Sequence, residues 1–477
     1  MSLKTQVISG AKWNTIAVVV NTAVQMLRIV ILSRVLDVSD FGILAIAMAV
    51  VSFTEIFADL GFTVPIIHKQ NITNEQYSSV FWVNVIMSIA IMGILILASP
   101  IISRIYEEPS LTSIICALSS TVVINAFGKI FHTIKTKELE FKFISIVSIV
   151  SAVIGFATMV ALALLDFGVW SLVLGTIIQT ATRQVVYFIS GLKSSRIKFH
   201  LNLRDITDFL RIGGYQVGAV IMDFWSNKID VFILGKFIGM EYLGIYNLAK
   251  ELIIRIYALF VSLSRSIATA TFAKMQNDMK QLVESFIKFS KLYAYVIVPC
   301  FCMLFIFTSD ISSVMYGDKA ALLYEPLKIL SIYGIFLGLT APTTSLMLSL
   351  GRSDFSLKWT IINTIINTIC ICIAGNIGFK VILYSQVALS IILYFLNWKL
   401  MVNRLINISL WQYMRPHLSA IIIAIPLVII FCILTGIIDN SVMWSIILAA
   451  AFIGIFGIIS MFTNKISPKE LTKLIFR

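Results

Sequence analysis

The chain has 477 residues, of which 59% are hydrophobic and only 13% are charged, and its formal net charge at pH 7 is +13. This much apolar surface excludes an ordinary soluble domain and indicates a polytopic membrane protein. We attribute the positive charge to the Lys and Arg that membrane proteins carry in cytoplasmic loops, and we expect no nucleic-acid partner.

The apolar runs predict about 14 membrane helices, each with roughly the 20 residues that a bilayer crossing requires. Their approximate cores, in chain order, are 11–33, 41–62, 80–99, 111–131, 143–165, 168–190, 214–235, 242–264, 290–309, 327–349, 358–376, 380–398, 418–437 and 441–462. The fifth and sixth cores are separated only by a tight turn at Asp166, Phe167 and Gly168. These segments predict an all-α membrane protein.

The helix spacing predicts two pseudo-symmetric six-helix bundles followed by a terminal helix pair. The predicted divisions are an N-terminal bundle over 1–195, a cytoplasmic linker over 196–213, a C-terminal bundle over 214–405, and a helix pair with a cytoplasmic tail over 406–477. Within the linker, Leu203, Ile206, Phe209 and Leu210 form an apolar stripe that predicts a short interfacial helix. A similar short helix is expected at 467–476.

The Lys and Arg residues lie mainly in alternate connections between the predicted helices. Because such residues collect on the cytoplasmic side of a membrane, this bias predicts that both chain termini are cytoplasmic. No predicted outer loop exceeds about 20 residues, so we expect no extracytoplasmic domain.

Two segments roughly 200 residues apart carry the same polar positions inside apolar runs, which indicates an internal repeat. In the first segment, Asn21, Gln25 and Arg28 lie at i, i+4 and i+7 and therefore share one helix face. Their counterparts in the second segment, aligned without a gap, are Asp223, Asn227 and Asp230. Lipid cannot solvate such a face, so we expect each one to meet a cavity or other protein. This duplication favours a transporter with a central site between two halves.

Ten charged residues remain inside the predicted helices, and each requires a partner or water. The five cations are Arg28, Arg183, Lys228, Lys250 and Arg255. The five acids are Glu55, Asp59, Asp223, Asp230 and Glu251.

The cations admit two interpretations. Arg28 either contacts a phosphate or acidic sugar in a cavity or forms a structural ion pair, for which Asp230 is a candidate. Arg183 and Lys228 either line the cavity or are satisfied locally. The group formed by Asn247, Lys250, Glu251 and Arg255 is either a self-neutralising cluster or the lining of an anion path.

The acids are candidates for coupling transport to a proton or sodium gradient. Glu55 and Asp59 are one turn apart on the second helix, an arrangement in which like charges interact. Asp223 and Asp230 are further coupling candidates, and Glu251 is the acid of the Lys250 group. Asn363 and Asn367, also one turn apart, are expected to form hydrogen bonds between helices.

Motifs for catalysis are missing from the sequence. It has no Walker A segment, no nucleophile elbow and no HExxH. Its four histidines fall in predicted cytoplasmic loops without the spacing of a metal site. We therefore expect neither an enzyme nor a bound cofactor or metal.

Short motifs along most of the chain resemble those of Wzx-type polysaccharide exporters of the multidrug/oligosaccharidyl-lipid/polysaccharide superfamily, and their pattern is most similar to the colanic-acid or exopolysaccharide branch. The motifs are Arg34-Val35-Leu36, Asp40-Phe41-Gly42, Asp59-Leu60-Gly61-Phe62, Ile66-Ile67-His68-Lys69, Glu138-Leu139-Glu140-Phe141, Phe167-Gly168-Val169-Trp170-Ser171-Leu172, Asp230-Val231-Phe232-Ile233-Leu234-Gly235-Lys236, Leu243-Gly244-Ile245-Tyr246 and Leu350-Gly351-Arg352.

The resemblance implies a 14-helix flippase of the bacterial inner membrane with a V-shaped central cavity. It implies transport of undecaprenyl-diphosphate-linked oligosaccharide to the outer leaflet by alternating access. The partners would be this substrate, membrane lipids and, in addition, polysaccharide polymerase or export machinery. In this interpretation Arg28, Lys228, Lys250 and Arg255 meet the diphosphate or acidic sugars.

Two other functions stay open at this point. A cation-coupled multidrug antiporter of the same superfamily would be favoured by an excess of acids over cations in the cavity, but here the two balance. A membrane-embedded polysaccharide polymerase or ligase would be expected to carry a large outer loop with catalytic residues, which this chain lacks.

Overall fold

The computed structural model describes residues 3–69, 71–194, 197–437 and 442–464, and the regular elements in these ranges are all helices. The α-helices are α1 Leu3–Val35, α2 Val38–Asp59, α3 Thr63–His68, α4 Asn74–Tyr106, α5 Ser110–Lys137, α6 Phe141–Ala163, α7 Val169–Ser194, α8 Leu203–Lys274, α9 Met279–Ile306, α10 Thr308–Tyr316, α11 Ala320–Leu339, α12 Ala341–Ser349, α13 Ser353–Gly375, α14 Phe379–Asn397, α15 Asn403–Ile406, α16 Leu410–Ile437 and α17 Val442–Asn464. A 3₁₀ turn (Gly317–Lys319) and a π-helix (Trp398–Val402) complete the order. The short helix expected at 467–476 lies outside the described residues.

The all-α membrane class predicted from the sequence is confirmed. Within the described ranges, twelve helical segments are long and apolar enough to cross a membrane, and α8 adds one more if its bent parts are counted together. The predicted seventh and eighth spans both lie in α8, on either side of Gly239, where the backbone has φ 78° and ψ 173°. The count of about 14 therefore corresponds to counting α8 as two spans.

The chain forms two compact units, Met1–Gly244 and Ile245–Arg477. In the first unit, α5 packs against α2, α4 and α7, and α1 packs against α6. Its core is aromatic, with the Phe81 ring close to those of Phe131 and Phe188. In the second unit, α9 is the central helix and packs against α11 and α16, while α14 packs against α11 and α13.

The tight turn predicted between the fifth and sixth spans is present. Helix α6 ends at Ala163 and α7 begins at Val169. The turn uses left-handed backbone at Asp166 (φ 59°) and Gly168 (φ 51°), which glycine and aspartate tolerate better than other residues. Two spans can therefore be joined by only a few residues here.

The short linker helix expected before the seventh span is not separate, because it forms the first turns of α8. Two residues of its apolar stripe, Ile206 and Phe209, are buried in the core of the first unit, while Leu203 is exposed. The helix continues past Gly213, whose missing side chain lets α8 approach the backbone of Leu60 and Gly61 closely. The boundary predicted after residue 213 is therefore not a helix end.

Helix α2 crosses the part of α8 that follows Gly239, and equivalent residues of the two repeated segments face each other at this crossing. A Cβ at Gly42 would overlap the carbonyl oxygen of Met240, and a Cβ at Gly244 would overlap the carbonyl oxygen of Val38. Gly42 and Gly244 are equivalent positions of the two segments, and so are Val38 and Met240. The crossing is therefore reciprocal, and it requires a small residue on each side.

His417 lies inside α16 and not in a loop, which corrects the placement expected from the sequence. It is almost fully buried, and its Nδ1 lies 2.6 Å from the hydroxyl of Tyr394. The neighbouring amide of Asn397 accepts a hydrogen bond from Thr343 at 2.8 Å. Tyr394 thus satisfies one ring nitrogen of His417, while the other, Nε2, is buried without a hydrogen-bond partner in the described part of the chain.

One predicted hydrogen bond between helices is confirmed in the second unit. The Gln386 side chain on α14 donates through Nε2 to Asn367 Oδ1 on α13 at 3.2 Å, and both residues are buried.

Candidate functional site

The polar face of α1 is partly directed at protein. Asn21, Gln25 and Arg28 are all half-buried. Asn21 donates through Nδ2 to the Ser148 hydroxyl on α6 at 2.9 Å, while its Oδ1 is buried without a hydrogen-bond partner in the described part of the chain. Asn21 therefore helps to hold α1 on α6, and Arg28 lies two turns further along the same face.

The counterpart face on α8 is mostly exposed. Asp223, Asn227 and Lys228 are exposed, and Asn227 donates through Nδ2 to the carbonyl oxygen of Asp223 at 2.7 Å. Asp230 differs from these three, because only 2% of its surface is exposed and its Oδ1 accepts from the Val231 backbone at 3.0 Å. The equivalent positions of the two segments thus have different surroundings.

Glu55 is the centre of a polar network between three helices of the first unit. Its Oε1 accepts from Asn125 Nδ2 at 2.7 Å, and Asn125 Oδ1 accepts from Gln184 Nε2 at the same distance. The chain of hydrogen bonds joins α2, α5 and α7. The cationic side chains of Lys129 and Arg183 also attract the Glu55 carboxylate. A carboxylate inside a membrane helix is stabilised by such partners.

Asp59, one turn from Glu55, has a different partner. Its Oδ1 lies 3.0 Å from Lys129 Nζ, and the Thr63 hydroxyl donates to it at 3.5 Å. The two acids predicted as a like-charge pair thus have different nearest partners, since Glu55 accepts a hydrogen bond from Asn125 and Asp59 pairs with Lys129, which attracts both. This arrangement reduces their mutual repulsion.

Arg183 is half-buried on α7, and its Nε is buried without a hydrogen-bond partner in the described ranges. Its positive charge acts on both Glu55 and His132. Arg183 therefore belongs to the Glu55 network, where a cation, a carboxylate and two amides lie among helices of one unit.

The charged group at the start of the second unit is partly self-neutralising. Arg255 Nη2 lies 2.9 Å from Glu251 Oε1, and both side chains are about one third exposed. The Lys250 ammonium lies 5.4 Å from the centre of the Tyr246 ring, within the range of a cation–π contact. Asn247 is half-buried on the same helix. Of the two interpretations left open, ion pairing applies to Glu251 and Arg255.

The second unit also contains a cavity of about 620 Å³ beside the last turns of α8. The residues that line it are Tyr257, Ala258, Val261, Ser262, Arg265, Thr269 and Leu348. Helix α8 bends by 42° in this region, between Ser262 and Ile267. The cavity has the volume of a typical small-molecule site.

Sequence reasoning missed Asn125, Lys129 and Gln184 of the Glu55 network, as well as the cavity residues. Asn125 lies 70 residues from Glu55 and 59 from Gln184, so no local spacing connects them. The only signal in the sequence was weak, namely single amides within apolar runs, which in membranes often mark contacts between helices.

The chain has clear relatives among known proteins. Residues 31–321 match the family model described as polysaccharide biosynthesis protein. The chain is 24% identical over 431 residues to the lipopolysaccharide biosynthesis protein WzxC of Escherichia coli strain K12, with 90% of this chain and 88% of that protein covered. It is 25% identical over 358 residues to the teichuronic acid biosynthesis protein TuaB of Bacillus subtilis strain 168, covering 75% and 74%, respectively.

Among solved structures, the fold is similar to that of the lipid II flippase MurJ in an inward closed conformation. The TM-score is 0.74 with 15% sequence identity, and the similarity covers 96% of this chain and 99% of that one. The likeness therefore extends over essentially the whole helical fold.

Proposed function

Because the chain belongs to the polysaccharide biosynthesis protein family, we propose that it is a flippase for a lipid-linked oligosaccharide. The substrate would be a repeat unit of a cell-surface polysaccharide, such as O-antigen, capsule or exopolysaccharide, linked to undecaprenyl diphosphate. The chain would move it from the cytoplasmic to the outer leaflet of the bacterial inner membrane by alternating access, with both chain termini in the cytoplasm.

The family match over residues 31–321 is the observation that carries this proposal. It includes the helices that hold the Glu55 network, the charged positions of α8 and the Lys250 group. The relatives named for lipopolysaccharide and teichuronic acid biosynthesis support a role in surface polysaccharide formation. The MurJ-like fold supports transport of a lipid-linked molecule.

The chemistry of the charged residues is compatible with this substrate. A diphosphate requires cationic and hydrogen-bonding groups, while a polyprenyl tail can stay in lipid. We assign diphosphate or acidic-sugar contacts to Arg28, Lys228 and Lys250, with Arg183 and Arg255 as further cations. Arg255 is the weakest of these candidates because Glu251 already neutralises it.

Reconstitution tests the function directly. The purified chain in vesicles should translocate a fluorescent undecaprenyl-diphosphate-linked oligosaccharide, measured by its accessibility to a quencher that cannot cross the membrane. A fluorescent phospholipid without glycan serves as the control and should not move faster than in empty vesicles. If the vesicles instead accumulate cationic drugs in exchange for protons or sodium and leave the glycan lipid in place, the chain is a multidrug antiporter.

We further propose that Glu55 couples transport to a proton gradient. Glu55 lies inside a membrane span, where Asn125 donates a hydrogen bond to its carboxylate and Lys129 and Arg183 attract it, and carboxyl groups at such positions in membrane proteins can carry protons. The other acids are less suitable, because Asp59 and Glu251 are held in ion pairs and Asp223 is exposed. Asp230, which is buried, remains the second candidate.

Glu55→Gln tests this coupling without removing the acceptor for Asn125. Flipping by the parent chain should accelerate in vesicles with an imposed proton gradient, and the variant should lose this acceleration while keeping its basal rate. Asp354→Asn is the matched control, since Asp354 forms an exposed pair with Arg352. An unchanged gradient response in Glu55→Gln would exclude Glu55, and a response only to sodium would exclude the proton.

A further inference from the structure

The cavity beside the last turns of α8 has a positively charged residue in its described lining and no negatively charged one. Arg265 is its only charged lining residue among those described, and in the described ranges no acidic side chain lies within ion-pair distance of it. Its guanidinium is close enough to act electrostatically on the neighbouring Tyr257 phenol. A cavity with a cation and no compensating acid favours an anionic ligand.

Hydroxyl groups add hydrogen-bonding capacity around this cation. Three of the lining residues, Tyr257, Ser262 and Thr269, carry hydroxyl groups. The Thr269 Oγ1 is buried without a hydrogen-bond partner in the described part of the chain. A buried hydroxyl without a partner costs free energy, which a ligand oxygen could recover.

The rest of the lining is apolar. Ala258 and Val261 lie on the same helix face as Arg265, at i, i+3 and i+7, and Leu348 lines the cavity from α12. Ala258 and Leu348 are exposed, so the apolar side of the cavity is open. An ion such as free phosphate would use the cation and hydroxyls but would leave this apolar surface uncovered.

From this combination we propose that the cavity binds the phosphate headgroup of a lipid. The phosphate would lie against the Arg265 guanidinium, which can donate two parallel hydrogen bonds to its oxygens, with the hydroxyls of Ser262 and Thr269 beside it. The first carbons of the lipid chain would cover Ala258, Val261 and Leu348. Lys250 is not among the lining residues, and all of the lining residues named here lie in the second unit.

Two lipids carry this chemistry, the polyprenyl diphosphate of the proposed substrate and an anionic phospholipid of the membrane. The purified chain would be incubated with undecaprenyl diphosphate, phosphatidylglycerol or inorganic pyrophosphate, and bound molecules would be counted by native mass spectrometry. Photoreactive analogues of both lipids would locate the contact by peptide mapping. We expect crosslinks within 257–269 and at Leu348. The lipid that gives these crosslinks is the natural ligand of the cavity.

Two variants test the site itself. Arg265→Gln should weaken lipid binding about tenfold, as expected for the loss of a charge-assisted hydrogen bond, and should remove the crosslinks. Ala258→Trp should exclude the lipid by filling the cavity. The matched controls are Lys274→Gln, an exposed cation at the end of the same helix, and Ile373→Trp, an exposed apolar position on α13.

The outcomes separate this inference from the proposed function. Unchanged binding and crosslinking in Arg265→Gln would overturn the site, even if Ala258→Trp failed to fold. Pyrophosphate binding as tightly as the lipids would overturn the lipid assignment. Flipping is measured on the same preparation, so a parent chain that binds lipid at 257–269 but does not flip the glycan lipid would overturn only the flippase proposal.

Discussion

Several charged side chains in the membrane helices of this protein have polar or oppositely charged partners. Glu55 accepts a hydrogen bond from Asn125, Asp59 pairs with Lys129, and Glu251 pairs with Arg255. Each arrangement lowers the cost of keeping a charge away from water. Neutral substitutions at these positions therefore test function more cleanly than truncations, which would leave a partner buried alone.

At the residue scale, Arg28→Ala should abolish or strongly reduce polysaccharide export. Loss of a charge-assisted contact to a phosphate costs about 1.5–3 kcal/mol, which corresponds to about a ten- to hundredfold slower step. Export would be measured in cells that lack their own exporter, with the amount of membrane protein determined in parallel. We expect the amount to stay at the parent level.

Arg352→Ala is the control for Arg28→Ala. The Arg352 guanidinium pairs with Asp354 at 2.9 Å in an exposed segment between α12 and α13. Exposed ion pairs contribute little to stability, so this variant should export normally. Normal export by Arg28→Ala would show that Arg28 is not a substrate contact.

The sequence predicted that Glu55 and Arg183 lie in membrane helices, but it could not predict their partners or that Lys129 also lies in a span. The apolar runs are long enough to locate Glu55 within a span, because the length of a bilayer crossing fixes the pattern. Its hydrogen bond to Asn125 depends on how α2 and α5 pack. A local sequence pattern carries no information on that packing. His417 illustrates the same limit. Its polarity predicted a loop, but a contact with the Tyr394 hydroxyl stabilises it inside a helix.

At the element scale, glycines set how closely the helices approach each other. The sequence predicted the turn between α6 and α7, where glycine is needed for the backbone itself. It did not predict that α8 continues through Gly213, because there the glycine serves a contact with Gly61 and not a helix end. One residue type thus has two roles that only the packing distinguishes.

Gly42→Ala and Gly244→Ala should each destabilise the protein by about 1–3 kcal/mol, because the added methyl group overlaps backbone of the facing helix. The double variant should lose less than the sum, since one displacement of the helices relieves both overlaps. Thermal unfolding of the purified protein measures both effects.

Gly93→Ala provides the reference for these two variants. Gly93 lies in α4, and a methyl group added to it would meet no atom of the described residues within 4 Å. Alanine also favours a helix more than glycine does, so the unfolding temperature should equal or exceed that of the parent chain. Equal behaviour of Gly42→Ala and Gly93→Ala would contradict a tight crossing at Gly42.

At the scale of the whole molecule, the connection between α7 and α8 is fixed to the beginning of α4. The Ser78 hydroxyl accepts from the Lys198 backbone at 3.0 Å, and the Trp82 indole donates to the Lys198 carbonyl at 3.1 Å. The start of α4 and this connection must therefore lie on the same side of the membrane. The far end of α4, at Tyr106, lies one membrane crossing away.

Reporter fusions test the orientation of the chain. Fusions after Lys198 and after Arg477 should both report cytoplasm, because Lys and Arg concentrate in these regions. A fusion after Glu107, which follows the end of α4, should report the outside. An external signal after Lys198 or Arg477 would refute the predicted orientation, and a cytoplasmic signal after Glu107 would refute α4 as a spanning helix.

The reciprocal packing at Gly42 and Gly244 has the form of an isologous contact, in which residue i of one copy meets residue j of the other and j meets i. Contacts of this kind ordinarily form between identical subunits related by a two-fold axis. The crossing of α2 and α8 therefore makes, within one chain, the kind of contact that elsewhere joins two identical subunits.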